Sequence, residues 1–328
     1  MLAGNIAVAI IMQVGTVALV YRIAPELRFG YGGASLGQLR PIAGFSVALF
    51  VGNIAAQIET KTDEIVIAAA LAVAAVTPYA IARKLSEAPR LLTEQLVKVF
   101  LPLASELHAA DDRARLRALY LEGTRLVLAL YLPLGLTIVL LAPPLLTRWV
   151  GPQYADEARL VLVLTLAGLF DLSQWPAGAV LQAMARHRPL AAIAIGSAAA
   201  NLALSLLLVR PFGTLGVAVG TLIPTVVAAL GFTAPYAMRV IGIGARQMLR
   251  HAVLPALLPA LPAAAVVYGL RRLVEPTALL TLAIVAGGGL LTYAVGYWRV
   301  GASATERKAY GKLVRSALRS AGRWLQRT

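Results

Sequence analysis

"ARKLSEAPRLLTEQLVK", residues 82–98, puts four basic side chains, two acidic ones and a proline into a chain that is otherwise 59% hydrophobic. A mean hydropathy of +0.77 and a charged fraction of only 14% rule out a soluble globular domain. Together with recurring apolar runs of about 20 residues, they predict an all-α, polytopic helical membrane protein. In such a protein each charge near the bilayer midplane costs about 2.5–3.5 kcal/mol on insertion scales, so the segment must be shielded from lipid. At about 100° per residue, Arg83, Glu87, Arg90, Glu94 and Lys98 fall within an arc of about 80° on one helix. This is a charged stripe, predicted to face a water-filled cavity or other helices, with alternating signs that partly neutralise one another. Pro89 removes a backbone N–H beside the stripe and predicts a kink there.

On either side of this segment the hydropathy pattern predicts about nine transmembrane helices, near residues 2–22, 41–70, 77–105, 119–142, 158–185, 189–209, 213–238, 252–270 and 277–298. Counting Lys and Arg on alternate sides gives nineteen on one side. The other side has five: Arg148, Arg159, Arg210, Arg271 and Arg272. That bias predicts a multi-pass protein of the cytoplasmic (inner) membrane with its C-terminus in the cytoplasm. Nine spans then put the N-terminus outside. The first 22 residues lack a basic n-region and a cleavage signature, so they read as a span and not as a signal peptide.

Two regions are expected, a transmembrane helical domain over 1–300 and a basic amphipathic cytoplasmic tail over 301–328. In the tail, Lys308, Lys312, Arg315, Arg319 and Arg323 recur every three or four residues opposite Leu313, Val314, Leu318, Trp324 and Leu325. Such a helix suits anionic membrane lipids as a partner. Nucleic acid, the other reading of a net charge of +15, is not expected as a partner in this context.

A second polar cluster, "QIETKTDE" at residues 57–64, sits in the outer half of the preceding span. Glu59 and Asp63 are one turn apart, where they could share a cation or a proton; an interfacial loop is the competing reading. Asp171, Gln174, Gln182 and Asn201 are isolated polar residues of the kind that bridge helices, and Pro176, Pro224, Pro235, Pro255 and Pro259 suit bent spans. Catalytic chemistry is not indicated. There is no cysteine; His108, His187 and His251 lack metal-ligand spacing; and neither a Walker-type loop nor a nucleophile elbow occurs. No enzyme activity, cofactor or metal is expected, and any transport would draw on an ion gradient, the membrane potential or the substrate's own gradient.

Ordered landmarks run through most of this chain. "LRPIAGFSVALFVGNIAAQIETKTDEIVIAAALAVAAVTPYAIARKL" (39–85) carries Asp63, then "AVAAV", then "PYAIA". "VKVFLPLASELHA" (97–109), "RWVGPQYADEARLVLVL" (148–164) and "RPFGTLGVAVGTLI" (210–223) follow in order. In these features the chain resembles the polysaccharide and O-antigen flippases of the multidrug/oligosaccharidyl-lipid/polysaccharide exporter superfamily. The resemblance implies a bilobed bundle whose central cationic cavity opens alternately to the two sides of the membrane. Its substrate would be a polyprenyl-pyrophosphate-linked oligosaccharide used for cell-surface polysaccharide, O-antigen or lipopolysaccharide. Carried onto this sequence, Arg83, Lys84, Arg90 and Lys98 become substrate-binding candidates, and Glu59, Asp63, Glu87 and Glu94 candidates for ion coupling.

Relatives have twelve to fourteen helices. This chain resembles their C-terminal lobe plus one helix, which predicts a missing N-terminal lobe or a second subunit as a partner. Two other functions fit the same features. One is a cation-coupled multidrug exporter of the same superfamily. The other is a polytopic ligase or polymerase acting on lipid-linked sugar, for which a large outer loop would be expected; the longest that can be drawn runs from Ala142 to Glu157.

Overall fold

In the computed structural model, residues 2–23, 46–47, 50, 54, 62–274, 276, 278–302 and 307 are described. Glu59, most of the 41–70 span and nearly all of the basic tail lie outside that set. The chain divides into two compact units, Met1–Val47 and Ala48–Thr328. The first contains helix α1, Leu2–Ile23.

The second unit holds the candidate site. Residues 62–70 are helical (α2) and a short 3-10 turn follows at Val73–Ala75. Next come α3 (Val76–Val97), α4 (Phe100–Ala109), α5 (Arg113–Trp149), α6 (Ala158–Ser173), α7 (Trp175–Ala183) and α8 (His187–Val226). After these the chain forms α9 (Ala234–Ile241), α10 (Ala245–Met248), α11 (Leu254–Leu257), α12 (Ala260–Val274) and α13 (Leu279–Gly296). The described residues form no strand.

Helix α5 is the axle. Its 37 residues span about 55 Å at 1.5 Å per residue, and α3, α4, α6, α7, α12 and α13 all pack against it. Near its start, Leu116, Tyr120 and Leu121 join Ala177, Val180 and Leu181 of α7 and Ala237 and Ile241 of α9. Near its end, Ala142 and Leu146 meet Ile67, Tyr79, Ala82, Val161 and Val217. Two arginines of α5 donate to main-chain oxygens: Arg117 Nε to Ile241 O at 2.9 Å and Arg125 Nη1 to His251 O at 3.2 Å. Ile241 O closes α9, where a carbonyl has no intrahelical partner and suits a cation.

Helix α8 is a hairpin. Hydrogen bonding runs from His187 to Val226, but Gly213 leaves the helical region at φ 61°, ψ −143°. Asn201 Nδ2 nevertheless donates to Thr221 Oγ1 at 2.9 Å, although 20 residues of straight helix would separate them by about 30 Å. The two arms therefore run antiparallel. They pack so closely that a Cβ on Gly220 would lie 2.6 Å from Ser205 Oγ. π-helical turns at Val227–Thr233 and Leu249–Val253 each end two residues before a proline, Pro235 and Pro255. The i→i+5 pattern absorbs the N–H that each proline lacks.

Among the described residues, five helical runs are long and apolar enough to cross a membrane: Arg113–Trp149, Pro152–Ala183, His187–Ile241, Ala245–Val274 and Leu279–Gly301. The nine spans predicted from hydropathy are not all matched by these. Arg83, Lys84, Glu87, Arg90 and Glu94 take α3 out of the apolar class, and the span before it lies largely outside the described residues. Exposed Leu206, Leu207, Leu261, Leu280 and Leu291 give the unit the apolar exterior that lipid requires. The predicted kink is not seen as a break, because α3 continues through Pro89 and Thr93 Oγ1 donates to Pro89 O at 2.9 Å.

The φ and ψ of Gly213 are close to values reached almost solely by glycine, and the space around it is open. Gly213→Ala is therefore expected to destabilise the protein by about 1–3 kcal/mol through backbone strain alone, seen as a lower thermal unfolding temperature in detergent.

Candidate functional site

The charged stripe of α3 borders a cavity of about 590 Å³ enclosed by α2, α3, α5, α6, the start of α7 and both arms of the α8 hairpin. Its ionisable lining comprises Asp63, Arg83, Glu87, Arg90 and Asp171, together with the phenols of Tyr79 and Tyr131. Arg83 and Arg90 are seven residues apart, so they stand on one face of α3 about 10 Å from each other along its axis.

At one end is a buried carboxylate. Asp63, only 2% exposed, accepts hydrogen bonds at Oδ2 from Tyr79 Oη at 2.7 Å and Thr221 Oγ1 at 2.9 Å. Asn201 in turn donates to Thr221 Oγ1. The acidic residue and the tyrosine that marked the first sequence landmark are thus directly bonded, and the late hairpin supplies the third member. Asp63 Oδ1 is buried and has no hydrogen-bond partner among the described residues. The sequence places Asp63 in the outer half of a span, with an interfacial loop as the competing reading. It lies in the interior, because the helix that carries it packs against α3 and the hairpin through Ile67, Tyr79 and Val217. Glu59, its expected companion, falls outside the described residues.

In the middle, Arg83 Nε lies 3.0 Å from Glu87 Oε1, one turn on, and its Nη1 lies 4.0 Å from Glu64 Oε1 on α2. At the far end, Arg90 binds Glu94 Oε1 at 2.7 Å and, across to α6, Asp171 Oδ2 at 2.8 Å. Its guanidinium also lies over the Trp175 ring, 5.2 Å from the centroid. Tyr131 of α5 contributes a wall, its own hydroxyl donating to Thr165 O at 2.9 Å.

Of the substrate-binding candidates, the fold brings Arg83 and Arg90 to the cavity and leaves the others away from it. Lys84 is exposed and does not line the cavity. Lys98, also exposed, donates to Gln95 Oε1 at 2.8 Å beyond the end of α3. Over four helical turns the stripe outruns the cavity wall, so its last member emerges on the surface. Among the coupling candidates, Asp63 and Glu87 line the cavity, while Glu94 acts on Arg90 from just outside its lining. Asp171 and Asn201 bridge helices as isolated polar residues were expected to. The placement of Asp171, Gln174 and Trp175 at the α6–α7 break as part of the cavity was not anticipated. The available signal was one carboxylate in an apolar helix, opposite in sign to an unmatched arginine 81 residues away.

A second pocket, about 470 Å³, adjoins the first and shares Ile193, Ser197 and Ala228 with it. Between the hairpin arms it is lined by Ala192, Gly196, Ala200, Pro224, Val227 and Phe232, so apart from Ser197 its walls are apolar.

Residues 1–159 match the family described as polysaccharide biosynthesis protein. That stretch includes the α3 and α5 walls but not the α6–α8 wall. The structure is similar to that of the lipid II flippase MurJ in an inward closed conformation, with a TM-score of 0.62 and 15% identity over 86% of this chain and 59% of that one. This chain thus spans about 59% of the length of MurJ, and at that identity the likeness is one of fold. No curated protein matches the sequence. The comparisons thus give a polysaccharide-biosynthesis family match over residues 1–159 and a fold shared with a lipid II flippase.

Replacing Tyr79 by Phe leaves a buried carboxylate with one hydrogen bond fewer. The expected loss is about 1–3 kcal/mol of stability, measured by thermal unfolding, with Thr221→Val acting in the same direction.

Proposed function

We propose that this chain, which matches a polysaccharide biosynthesis family over residues 1–159 and shares its fold with a lipid II flippase, moves a polyprenyl-pyrophosphate-linked oligosaccharide across the cytoplasmic membrane for cell-surface polysaccharide synthesis. The observation that carries this reading is the union of two unlike pockets. A charged cavity suits a polar headgroup, and the apolar pocket opening beside it suits an isoprenoid chain. An amphiphile requires both, whereas a small hydrophilic solute would leave the apolar pocket without a use.

In this reading Arg83 attracts the pyrophosphate. Its guanidinium lines the cavity, with Glu87 Oε1 at 3.0 Å and Glu64 Oε1 at 4.0 Å. A phosphate with several strong acceptor oxygens competes well for a guanidinium so placed. Asp63, with an unused buried oxygen, is the favoured coupling group for a proton or small cation, and Glu87 neutralises Arg83 between turnovers. Orientation with the C-terminus in the cytoplasm, and binding of the basic tail to anionic lipids, belong to the same proposal.

One observation favours a second reading. The lining holds three carboxylates, Asp63, Glu87 and Asp171, against two arginines, which suits a cation-coupled exporter of organic cations.

Transport of a fluorescent polyprenyl-pyrophosphate oligosaccharide in proteoliposomes separates the two readings. Arg83→Ala is expected to lower its rate tenfold or more, consistent with the loss of about 1.5–3 kcal/mol for a hydrogen bond to a charged group. Lys84→Ala and Lys98→Ala should stay near the wild-type rate. Gly196→Leu places a side chain in open space inside the apolar pocket; it should slow transport of the lipid-linked sugar without lowering thermal stability. Export of tetraphenylphosphonium with no movement of the lipid-linked sugar would establish the second reading.

A further inference from the structure

The cavity end formed by Arg90, Asp171, Gln174 and Trp175 differs chemically from the end at Arg83. Arg90 already serves two carboxylates: Glu94 and Asp171 each accept from it within 2.8 Å, and its guanidinium lies over the Trp175 ring. Counted together, one guanidinium and two carboxylates leave this end with net negative charge. A pyrophosphate brought here would have to share Arg90 with two carboxylates, and like charges at such range repel strongly in a low-dielectric site.

What the same atoms can bind is a neutral group rich in hydroxyls. Asp171 keeps 44% of its side chain exposed although Oδ2 is paired with Arg90, so it retains capacity to accept further hydrogen bonds. Gln174 sits between α6 and α7, where the helix breaks. Its amide nitrogen donates to Ser173 Oγ at 3.0 Å, while its Oε1 is buried at the cavity wall with no hydrogen-bond partner among the described residues. An unfilled buried acceptor is a cost to the protein unless a donor reaches it. Trp175 adds an aromatic surface beside these acceptors, able to pack against an apolar C–H face. Fixed carboxylate, buried amide oxygen and indole in one wall match a sugar ring, which carries hydroxyl donors at its rim and C–H groups on its faces.

We propose that Asp171, Gln174 and Trp175 form a carbohydrate subsite, with Arg90 as the positioning residue that holds Asp171 and Trp175 in register. The proposal rests on the flippase reading and deepens it: the headgroup lies along α3 with its pyrophosphate at Arg83 and its sugar about 10 Å further along the helix, at the α6–α7 break. Arg90 then serves sugar recognition and not phosphate binding.

The sequence contains four tryptophans. The triple variant W149F/W298F/W324F leaves Trp175 as the sole indole in the full chain, which can be placed in lipid nanodiscs and titrated while its emission is followed. The probes are undecaprenyl pyrophosphate, the same lipid bearing a neutral hexose, an N-acetylhexosamine or a uronic acid, and tetraphenylphosphonium. At least one sugar-bearing lipid is expected to change Trp175 emission at a concentration tenfold or more below that needed by the bare lipid pyrophosphate. Asp171→Asn and, independently, Gln174→Leu are expected to remove that advantage while leaving affinity for the bare lipid unchanged, with thermal unfolding confirming that each variant is folded. Arg83→Ala should weaken sugar-bearing and bare lipids alike. Equal affinity for sugar-bearing and bare lipids overturns the subsite and leaves the flippase reading standing. So does an equal loss for both in Asp171→Asn and Gln174→Leu. Preference for tetraphenylphosphonium, or no binding of any lipid pyrophosphate, overturns the flippase reading and the subsite with it.

Discussion

A charged side chain cannot face hydrocarbon without a cost of a few kcal/mol, and α3 carries five such groups between Arg83 and Glu94. The second unit is arranged around that constraint. α2 reaches the stripe with Glu64, α6 with Asp171, and α5 lays Tyr131 along the wall between them. Because α3 and α6 are tied at Arg90–Asp171, the break between α6 and α7 comes to the cavity and brings Gln174 and Trp175 with it. Cavity and ion pairs are two descriptions of one solution. Helices shield the charges from lipid but do not fill the space beside them.

The hairpin of α8 depends on the same economy of polar groups. Gly213 allows the chain to reverse, and Gly220 lets the arms approach until Asn201 meets Thr221. That contact completes the shell around Asp63, whose helix lies far earlier in the sequence. The arms also leave an apolar pocket at their seam, which shares Ile193, Ser197 and Ala228 with the lining of the charged cavity.

The helical membrane class and the charged face of α3 could be read from hydropathy and from the 3.6-residue period, because both are local properties of the chain. The landmark pairing of Asp63 with Tyr79 was visible as order along the sequence, though not as a hydrogen bond. Lys98 shared the angular position of Arg83 and Arg90 but not their surroundings. A helical wheel gives direction around an axis and is silent about how far along the axis a neighbouring helix extends. Asp171 and Gln174 were legible only as isolated polar residues, since their partners stand on helices that meet them solely in the folded bundle.

By itself, then, the sequence determined what the chain must avoid. Its apolar runs require a lipid environment, and its stripe requires shelter, because transfer free energies attach to residue types wherever they occur. Only the tertiary structure decided what shelters what: that carboxylates outnumber arginines along the cavity, that Arg90 pairs with two carboxylates while Gln174 retains an unused acceptor, and that an apolar pocket adjoins the charged one. Those outcomes depend on distances between helices remote in sequence. Electrostatic and hydrogen-bond energies fall away over a few ångströms, so no pattern along the chain can state them.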